Sequence, residues 1–454
     1  MTPSLLHGCI PLLAICSASP AQDDRTPVPS PEVEIESDVA EEISEEEKRE
    51  SHPLGWLSDP REPPDTMLEA LVSGKVHLDN RLRVEYADTT GRESSTAITN
   101  RLRLGYETKP FHGFSGYLEV ENVATPNDDN YFVPATGDGT PGRTVIADPP
   151  GTELNQGFVR YMAESLGGSP VSLDLKAGRQ RIILDDARFI GNVGWRQFEQ
   201  TYDSVSVRSN LGVDRLRAFY AYVWGVQRIF GPDGPTPDSD SHLINLSYKV
   251  GEELQITPFA YLLDFEDDDP LNSSDSFGFR LSGDLWRETG DDVDFFADYE
   301  FTYAHQVDAG ANPVDYEADF IAAQVRLTRK QLGSLLVGYQ LLGSDDGDFG
   351  FRFPLGTNHK FQGFADNFLT TPAVGLENLY FGIATELPWG IKTSVTYHRF
   401  WSDEGNDDLG EEIDIAARKQ FSPHWSGLLK AAYFNGDSGQ PETTRLWAQT
   451  TFTF

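Results

Sequence analysis

Cysteine is nearly missing from this sequence, and both copies, Cys9 and Cys16, fall in the first stretch, MTPSLLHGCIPLLAICSASPAQ. An apolar run followed by small residues is typical of an export signal, so we predict a signal peptide over 1–21, cleaved after Ala21. The mature chain would then contain no disulfide framework, no thiol nucleophile and no thiolate metal site. No apolar run of about 18 residues follows, so no membrane-spanning helix is predicted.

Positive charge is also scarce. The sequence has 36 Lys and Arg against 72 Asp and Glu, a net charge of −36, which excludes nucleic acid as a partner. Part of the acidic excess is local, because Asp23–Glu50 contains only three basic residues. We interpret 22–66 as an acidic, proline-rich disordered segment and linker, acting either as a spacer or as an arm that contacts a periplasmic partner.

Motifs for catalysis are missing as well. The sequence has neither a G-x-S-x-G elbow nor an H-E-x-x-H pair. His77 and His398 fall at inward positions of well-patterned segments, where a lone histidine is usually a polar wall residue. Two acidic stretches, DFEDDDPLNSSD and SDEGNDDLGEE, lack the spacing of a calcium loop, which favours solvated loops over a site that bridges lipopolysaccharide. We predict no catalytic residues, no metal site, no cofactor and no enzymatic activity.

What the sequence does have is a period of two. The stretch NRLRVEY at 80–86 is almost repeated as NRLRLGY at 100–106, with arginine and apolar residues alternating. The same alternation of charged and apolar residues returns in VDFFADYEFTY and in the final TRLWAQTTFTF. About 18 such segments lie between Lys75 and Phe454, each long enough for a membrane strand of roughly ten residues.

The connections between these segments alternate in length. Short ones such as TKPFHG and ELPWG come between long ones such as 123–153 and 343–375. We therefore predict an all-β fold over 67–454: a transmembrane antiparallel β-barrel with short periplasmic turns and long extracellular loops. A soluble β-protein is the alternative. The predicted location is the outer membrane of a Gram-negative type bacterium, in contact with its lipid and lipopolysaccharide.

The opening arginines have a preferred side. At mid-membrane a lipid-facing arginine costs about 2–4 kcal/mol, so Arg81, Arg83, Arg101 and Arg103 should face a water-filled lumen. The same alternation adds Arg160. Guanidinium groups bind carboxylates in a bidentate fork and would favour a passing anion. The alternative is that each arginine braces the wall by pairing with a lumenal carboxylate such as Glu85 or Glu121.

Two connections, Gly178–Asp203 and Leu355–Leu376, lose the alternation. Loops of this kind can fold inward, which makes Arg188, Arg196, His359 and Lys360 candidate constriction residues. The alternative is that both loops pack on the outer rim.

These two stretches, together with the opening GKVHLDNRLRVEY, resemble the alginate-export family of outer-membrane porin-like β-barrels. The resemblance extends over about 74–454 and is most specific in GRQRIIL…RFIGNVGWRQ. It implies a monomeric barrel of 18 strands whose arginine-rich lumen conducts anionic polysaccharide outward. It also implies that Arg179, Arg181, Arg188 and Arg196 line the pore.

The predicted function is therefore an outer-membrane channel for an anionic or neutral polysaccharide or oligosaccharide. A general or nutrient-uptake porin, and a structural barrel without conductance, are the alternatives.

Overall fold

The computed structural model describes residues 64–266, 269–289, 294–330 and 332–454. The predicted signal peptide and nearly all of the predicted acidic segment lie outside the described residues. The described chain opens with one short helix, α1 (Met67–Val72), whose first turn is capped when the Thr66 hydroxyl accepts from the Glu69 amide. Everything after it is built from strands and their connections.

Period-two alternation produces long strands, and eighteen of them form one sheet. In chain order the strands are β1 (Lys75–Thr89), β2 (Ser95–Glu107), β3 (Phe114–Ala124), β4 (Phe132–Val133), β5 (Asp138–Gly139), β6 (Gly151–Ala163), β7 (Leu173–Gln180), β8 (Thr201–Ser209), β9 (Leu216–Gln227), β10 (Asp238–Lys249), β11 (Gln255–Leu263), β12 (Ser274–Thr289), β13 (Asp294–Asp308), β14 (Glu317–Arg329), β15 (Gly333–Leu342), β16 (Ser344–Asp345), β17 (Phe349–Gly350), β18 (Leu376–Leu387), β19 (Ile391–Trp401), β20 (Asp408–Ser422), β21 (Trp425–Gly436) and β22 (Thr443–Thr453).

The sheet closes on itself. Each long strand runs antiparallel to the next, and β22 pairs with β1 from Asp79↔Thr453 to Thr89↔Thr443. The pairs β4–β5 and β16–β17 are small hairpins in loops, so β3 pairs directly with β6 and β15 with β18. Closure leaves the 18-stranded sheet without a free edge. A sheet in lipid must be closed in this way, because unpaired backbone groups at an edge would have no water to bind. The predicted antiparallel barrel of 18 strands is confirmed.

The two rims of the barrel differ. Turns such as 250–254, 388–390 and 423–424 form a short-turn rim, whereas connections such as 125–150 and 343–375 form a long-loop rim. This asymmetry is the one seen in outer-membrane barrels, where the short turns are periplasmic.

The outward rows of the strands are apolar. Leu82, Leu102 and Ile415 are exposed on the outside of the wall, and Trp389 and Trp425 are exposed at the short-turn rim. An apolar outer band with aromatic residues at its edge suits lipid and its interface.

Two loops fold into the barrel. The connection 181–200 meets the connection 343–375 at a bridge between Ile190 and Leu355. Both loops pack against inward wall residues in one aromatic-rich core, whose members include Ile182, Ile190, Phe351, Phe353 and Leu355 from the loops and Phe219, Tyr261 and Phe320 from the wall. Of the two interpretations of the connections that lose alternation, the structure shows inward folding and not packing on the outer rim.

Candidate functional site in the barrel interior

Arginines dominate one side of the interior. On β1 and β2, Arg81 lies opposite Arg101 and Arg103 lies opposite Asp79, with Arg83 one step further along the inward row. All four side chains point away from lipid and are at most 4% exposed. We call Arg81, Arg83, Arg101 and Arg103 the arginine wall.

The loop 181–200 covers the arginine wall. Arg81 Nη1 donates to the Gly194 carbonyl at 2.9 Å, and Arg83 Nη2 donates to the Trp195 carbonyl at 2.6 Å. The Arg83 guanidinium also lies 4.1 Å from the centre of the Trp195 indole ring. The arginines therefore donate hydrogen bonds to backbone carbonyls of a loop that lies outside the strand pairing of the barrel.

Carboxylates neutralise the same arginines. Arg103 Nε lies 2.7 Å from a Glu121 oxygen and its Nη1 lies 3.4 Å from Glu199. Arg101 pairs with Asp79. Glu199 belongs to the loop, so the wall and the loop share these charges. Without the loop the arginine wall would lose part of its compensation.

Two arginines of the loop itself take part. Arg181 pairs with Glu199, with its Nε 2.8 Å from Oε2. Arg196 bridges two elements, because its Nη1 lies 3.2 Å from Glu85 on β1 and its Nη2 lies 2.7 Å from Asp366 in the other interior loop. Breaking a buried pair of this kind by removing one partner costs about 3–5 kcal/mol.

The tip of the connection between β15 and β18, residues 358–366, is fixed by backbone contacts. The Ala365 amide donates to Glu412 Oε1 at 2.7 Å and the Phe364 amide donates to Asp414 Oδ2 at 3.0 Å. Both carboxyl groups stand on the inward row of β20 and are buried. The wall thus accepts hydrogen bonds from a loop end that has left regular structure.

His359 continues this anchoring. Its Nδ1 lies 2.6 Å from Asp366 Oδ1, and its Nε2 lies 2.8 Å from Lys430 Nζ. Because an ammonium only donates, His359 Nε2 is assigned as the acceptor, which leaves its proton on Nδ1 towards Asp366. The imidazole stacks on Trp195 at 4.7 Å with an interplanar angle of 7°. The two interior loops are therefore joined by charge and by ring stacking.

The charged neighbours lower the pKa of two carboxyl groups in the interior loops. Burial alone would raise the pKa of Glu199, but Arg103 and Arg181 hold it well below its ordinary value. Burial would likewise raise the pKa of Asp366, whereas His359 and Arg196 bring it below the ordinary range. Both groups are therefore ionised at neutral pH.

Arg188 has different surroundings. Its Nη1 donates to Gln362 Oε1 at 2.7 Å, and its guanidinium lies 3.8 Å from the centre of the Phe353 ring and 4.6 Å from that of Phe361. No carboxylate lies within ion-pair distance of Arg188 in the described parts of the chain, and burial lowers its pKa. Arg188 therefore marks the aromatic half of the interior.

The remaining two predicted pore-lining arginines lie elsewhere. Arg160 faces inward near the short-turn rim and holds Asp174 in a bidentate pair at 2.8 and 3.1 Å. Arg179 stands opposite Gly157 on the outward row of β7, and pairs with Asp203 at 2.8 Å. This corrects the expectation for Arg179: strand alternation places its side chain on the outside of the wall, near the long-loop rim.

Sequence reasoning missed several partners. Asp148, in the connection 125–150, is fully buried, lies 3.5 Å from Arg83 and accepts from the Gln197 amide. Glu199, Asp366 and Trp195 were likewise not singled out. Their only signal in the sequence is that they stand where alternation stops.

In the described parts of the chain, no three of His, Cys, Asp and Glu lie close enough together to hold a metal ion. No helix among the described residues is long and apolar enough to cross a membrane.

Comparison with known proteins gives the class. The sequence model of the alginate-export family matches residues 135–307, which include the loop 181–200 but not the arginine wall. No curated protein matches the sequence. The fold, its closure and its apolar exterior define an outer-membrane β-barrel of the porin-like type.

Solved structures agree on the fold. Pseudomonas aeruginosa OccK9 (OpdG) has 14% identity and a TM-score of 0.63, covering 85% of this chain and 100% of that one. Acinetobacter baumannii OccAB2 has 15% identity and a TM-score of 0.61, covering 85% and 99%. P. aeruginosa OpdK, crystallised with vanillate, has 14% identity and a TM-score of 0.61, covering 84% and 98%.

Proposed function

We propose that this protein is a passive outer-membrane channel for acidic saccharide chains of the alginate type, as polymer or oligosaccharide. The observation that carries the proposal is the arginine wall, four inward guanidinium groups on two adjacent strands of a closed barrel. The match of residues 135–307 to the alginate-export family supports the same class of substrate. In this proposal Arg81, Arg83, Arg101, Arg103, Arg160, Arg181, Arg188 and Arg196 face the permeating chain.

Internal carboxylates suit this role. Glu121 and Glu199 occupy the places beside Arg103 that uronate carboxylates would take. A permeating acid can exchange with them one group at a time, so no arginine is left bare and no single site holds too tightly. Transport through many weak sites is what a polyanion needs.

The interior loops set the gate. The connections 181–200 and 343–375 pack in the middle of the barrel, so the passage of a chain requires them to shift. We assign them as the constriction, held by the contacts of Arg196, Asp366 and His359.

A second candidate is the uptake of small aromatic carboxylates. One observation favours it: Arg188 lies against Phe353 and Phe361, a cation among aromatic rings that would suit such a molecule. One structural neighbour was crystallised with vanillate.

The N-terminal part of the chain completes the proposal. Residues 1–21 would direct export as a signal peptide, and the acidic segment 22–66 would meet a periplasmic partner.

The test is reconstitution of the full chain in planar bilayers. We expect a salt-gradient reversal potential that shows anion preference, and block of the current by polyuronate but not by a neutral polysaccharide. Block by vanillate without block by polyuronate would favour the second candidate. A barrel that never conducts would overturn both and favour a structural role.

Variants locate the selectivity. Arg81→Ala combined with Arg103→Ala should reduce anion preference, because Glu121 and Glu199 lose compensation. The control is Arg329→Gln, which removes one positive charge from the outward row of β14. Unchanged selectivity in the double variant would make these arginines braces of the wall and nothing more.

A further inference from the structure

A second group of cations lies nearer one end of the interior, at the short-turn rim. Arg160 on β6 stands opposite Lys176 on β7, and Arg208 on β8 and Arg217 on β9 continue the inward rows near the short-turn rim. Their inward direction follows from Phe219, which is buried and belongs to the row of Arg217. We call Arg160, Lys176, Arg208 and Arg217 the basic arc.

The basic arc carries more positive than negative charge. The inward rows of β6–β9 near this rim carry one carboxylate, Asp174, which Arg160 holds at 2.8 Å. Asp174 also lies opposite Arg208 and attracts it, but neither Arg208 nor Arg217 has a hydrogen bond or an ion pair within 4 Å among the described residues. The arginine wall, in contrast, is paired with carboxylates. The interior near the short-turn rim therefore presents net positive charge to a solute that enters from that side.

Aromatic rings accompany these cations. Lys176 Nζ lies 4.8 Å from the centre of the Phe158 ring, and the Arg208 guanidinium lies 5.0 Å from that of Phe219. Tyr117 stands 5.5 Å from Phe158, at the inward position next to it. Rings beside cations offer an apolar face to a sugar ring while the cations bind its carboxylate.

We propose that the basic arc is a binding site for an acidic saccharide at the periplasmic mouth, separate from the arginine wall and reached before it. The proposal rests on the proposed function and names where the substrate is first bound. Four cations with one carboxylate among them in a concave mouth raise the local concentration of a polyanion and its rate of association. The paired arginines deeper inside would then receive a chain that has already been captured.

The test uses the full chain inserted in planar bilayers with known orientation, and an oligouronate added to one side at a time. For Arg208→Gln combined with Arg217→Gln we expect the association rate of block from the short-turn side to fall about tenfold at low salt. Block from the long-loop side should be unchanged. Arg208→Lys combined with Arg217→Lys should retain most of the rate, and Arg329→Gln, outside the wall at the same rim, should retain all of it.

The outcomes separate the two proposals. If the unmodified channel is not blocked from either side, the proposed function fails, and the capture site with it. If the unmodified channel is blocked and the double Gln variant is blocked equally well from the short-turn side, the function stands and the basic arc is overturned. An equal loss from both sides, or an equal loss in Arg329→Gln, also overturns the arc, because net charge alone would explain it.

Discussion

Asp366 joins the two interior loops, and its replacement by asparagine tests whether they form the gate. The side chain is 2% exposed and lies 2.7 Å from Arg196 and 2.6 Å from His359. Asn keeps the shape of the side chain and one oxygen acceptor but removes its charge. The substitution therefore weakens the link between the loops without creating a cavity.

The magnitude follows from these contacts. Removal of one partner from a buried pair costs about 3–5 kcal/mol, and the retained oxygen places Asp366→Asn at the lower end. Since about 1.4 kcal/mol is tenfold in an equilibrium constant, a loss of about 3 kcal/mol shifts the ratio of docked to displaced loop about a hundredfold. Arg196 keeps Glu85 as a partner at 3.2 Å, so the loop 181–200 should remain docked.

Single-channel recording measures the effect. We expect Asp366→Asn to spend a much larger fraction of time at high conductance than the unmodified protein. The control is Asp348→Asn, which removes the same charge from an exposed position of the same loop and should change nothing. If Asp366→Asn opens no more often than Asp348→Asn, the tip of this loop is not the gate.

Three more predictions concern the loop tip at 358–366 and the outward position of Arg179. Gly363→Ala should open the channel as Asp366→Asn does, because a Cβ at Gly363 would lie 2.4 Å from the Glu412 carboxylate. Gly347→Ala is the control, since Gly347 has a similar φ of +85° but open surroundings, and it should not open the channel. Equal behaviour of the two variants would refute the steric argument. Arg179→Gln should leave the reversal potential unchanged, because its side chain is outside the wall; a loss of anion preference would return it to the interior. The pKa of Asp366 is lowered, so its stabilising charge is present above the ordinary carboxyl pKa and is lost only as pH falls through the lowered value. The effect of Asp366→Asn on open probability should therefore be equal at about pH 8 and pH 5. A difference between the two pH values would contradict the lowered pKa.

The barrel itself could be predicted because its determinants are local. Alternation of Arg81, Leu82 and Arg83 along one strand specifies two faces, and lipid and the interior require opposite chemistry on them. The lengths of the connections then set the two rims. Neither inference needs knowledge of which distant residues meet.

The interior could be predicted only in part, because its contacts join distant segments. Arg83 meets Asp148 and Arg196 meets Asp366 across loops that have no period, so no pattern in the sequence pairs them. Arg179 is instructive for another reason. Alternation from the inward Lys176 would have placed it outward, and family resemblance pointed the other way.

The arginine wall and the basic arc differ in how far carboxylates neutralise them. Because of this difference an anion should be attracted more strongly to one end of the barrel than to the other, although a passive pore imposes no direction on net flow. At the arginine wall, carboxylates of the same chain, such as Glu121 and Glu199, already lie beside the guanidinium groups, so an entering acid gains little there beyond exchange. At the basic arc, Arg208 and Arg217 form no ion pair within 4 Å among the described residues and share only the nearby Asp174, so an entering acid gains attraction without breaking an ion pair of theirs. An oligouronate should therefore associate with the channel faster from the short-turn side than from the long-loop side. The difference between the two association rates should shrink as the salt concentration is raised, since screening acts most on accessible charge.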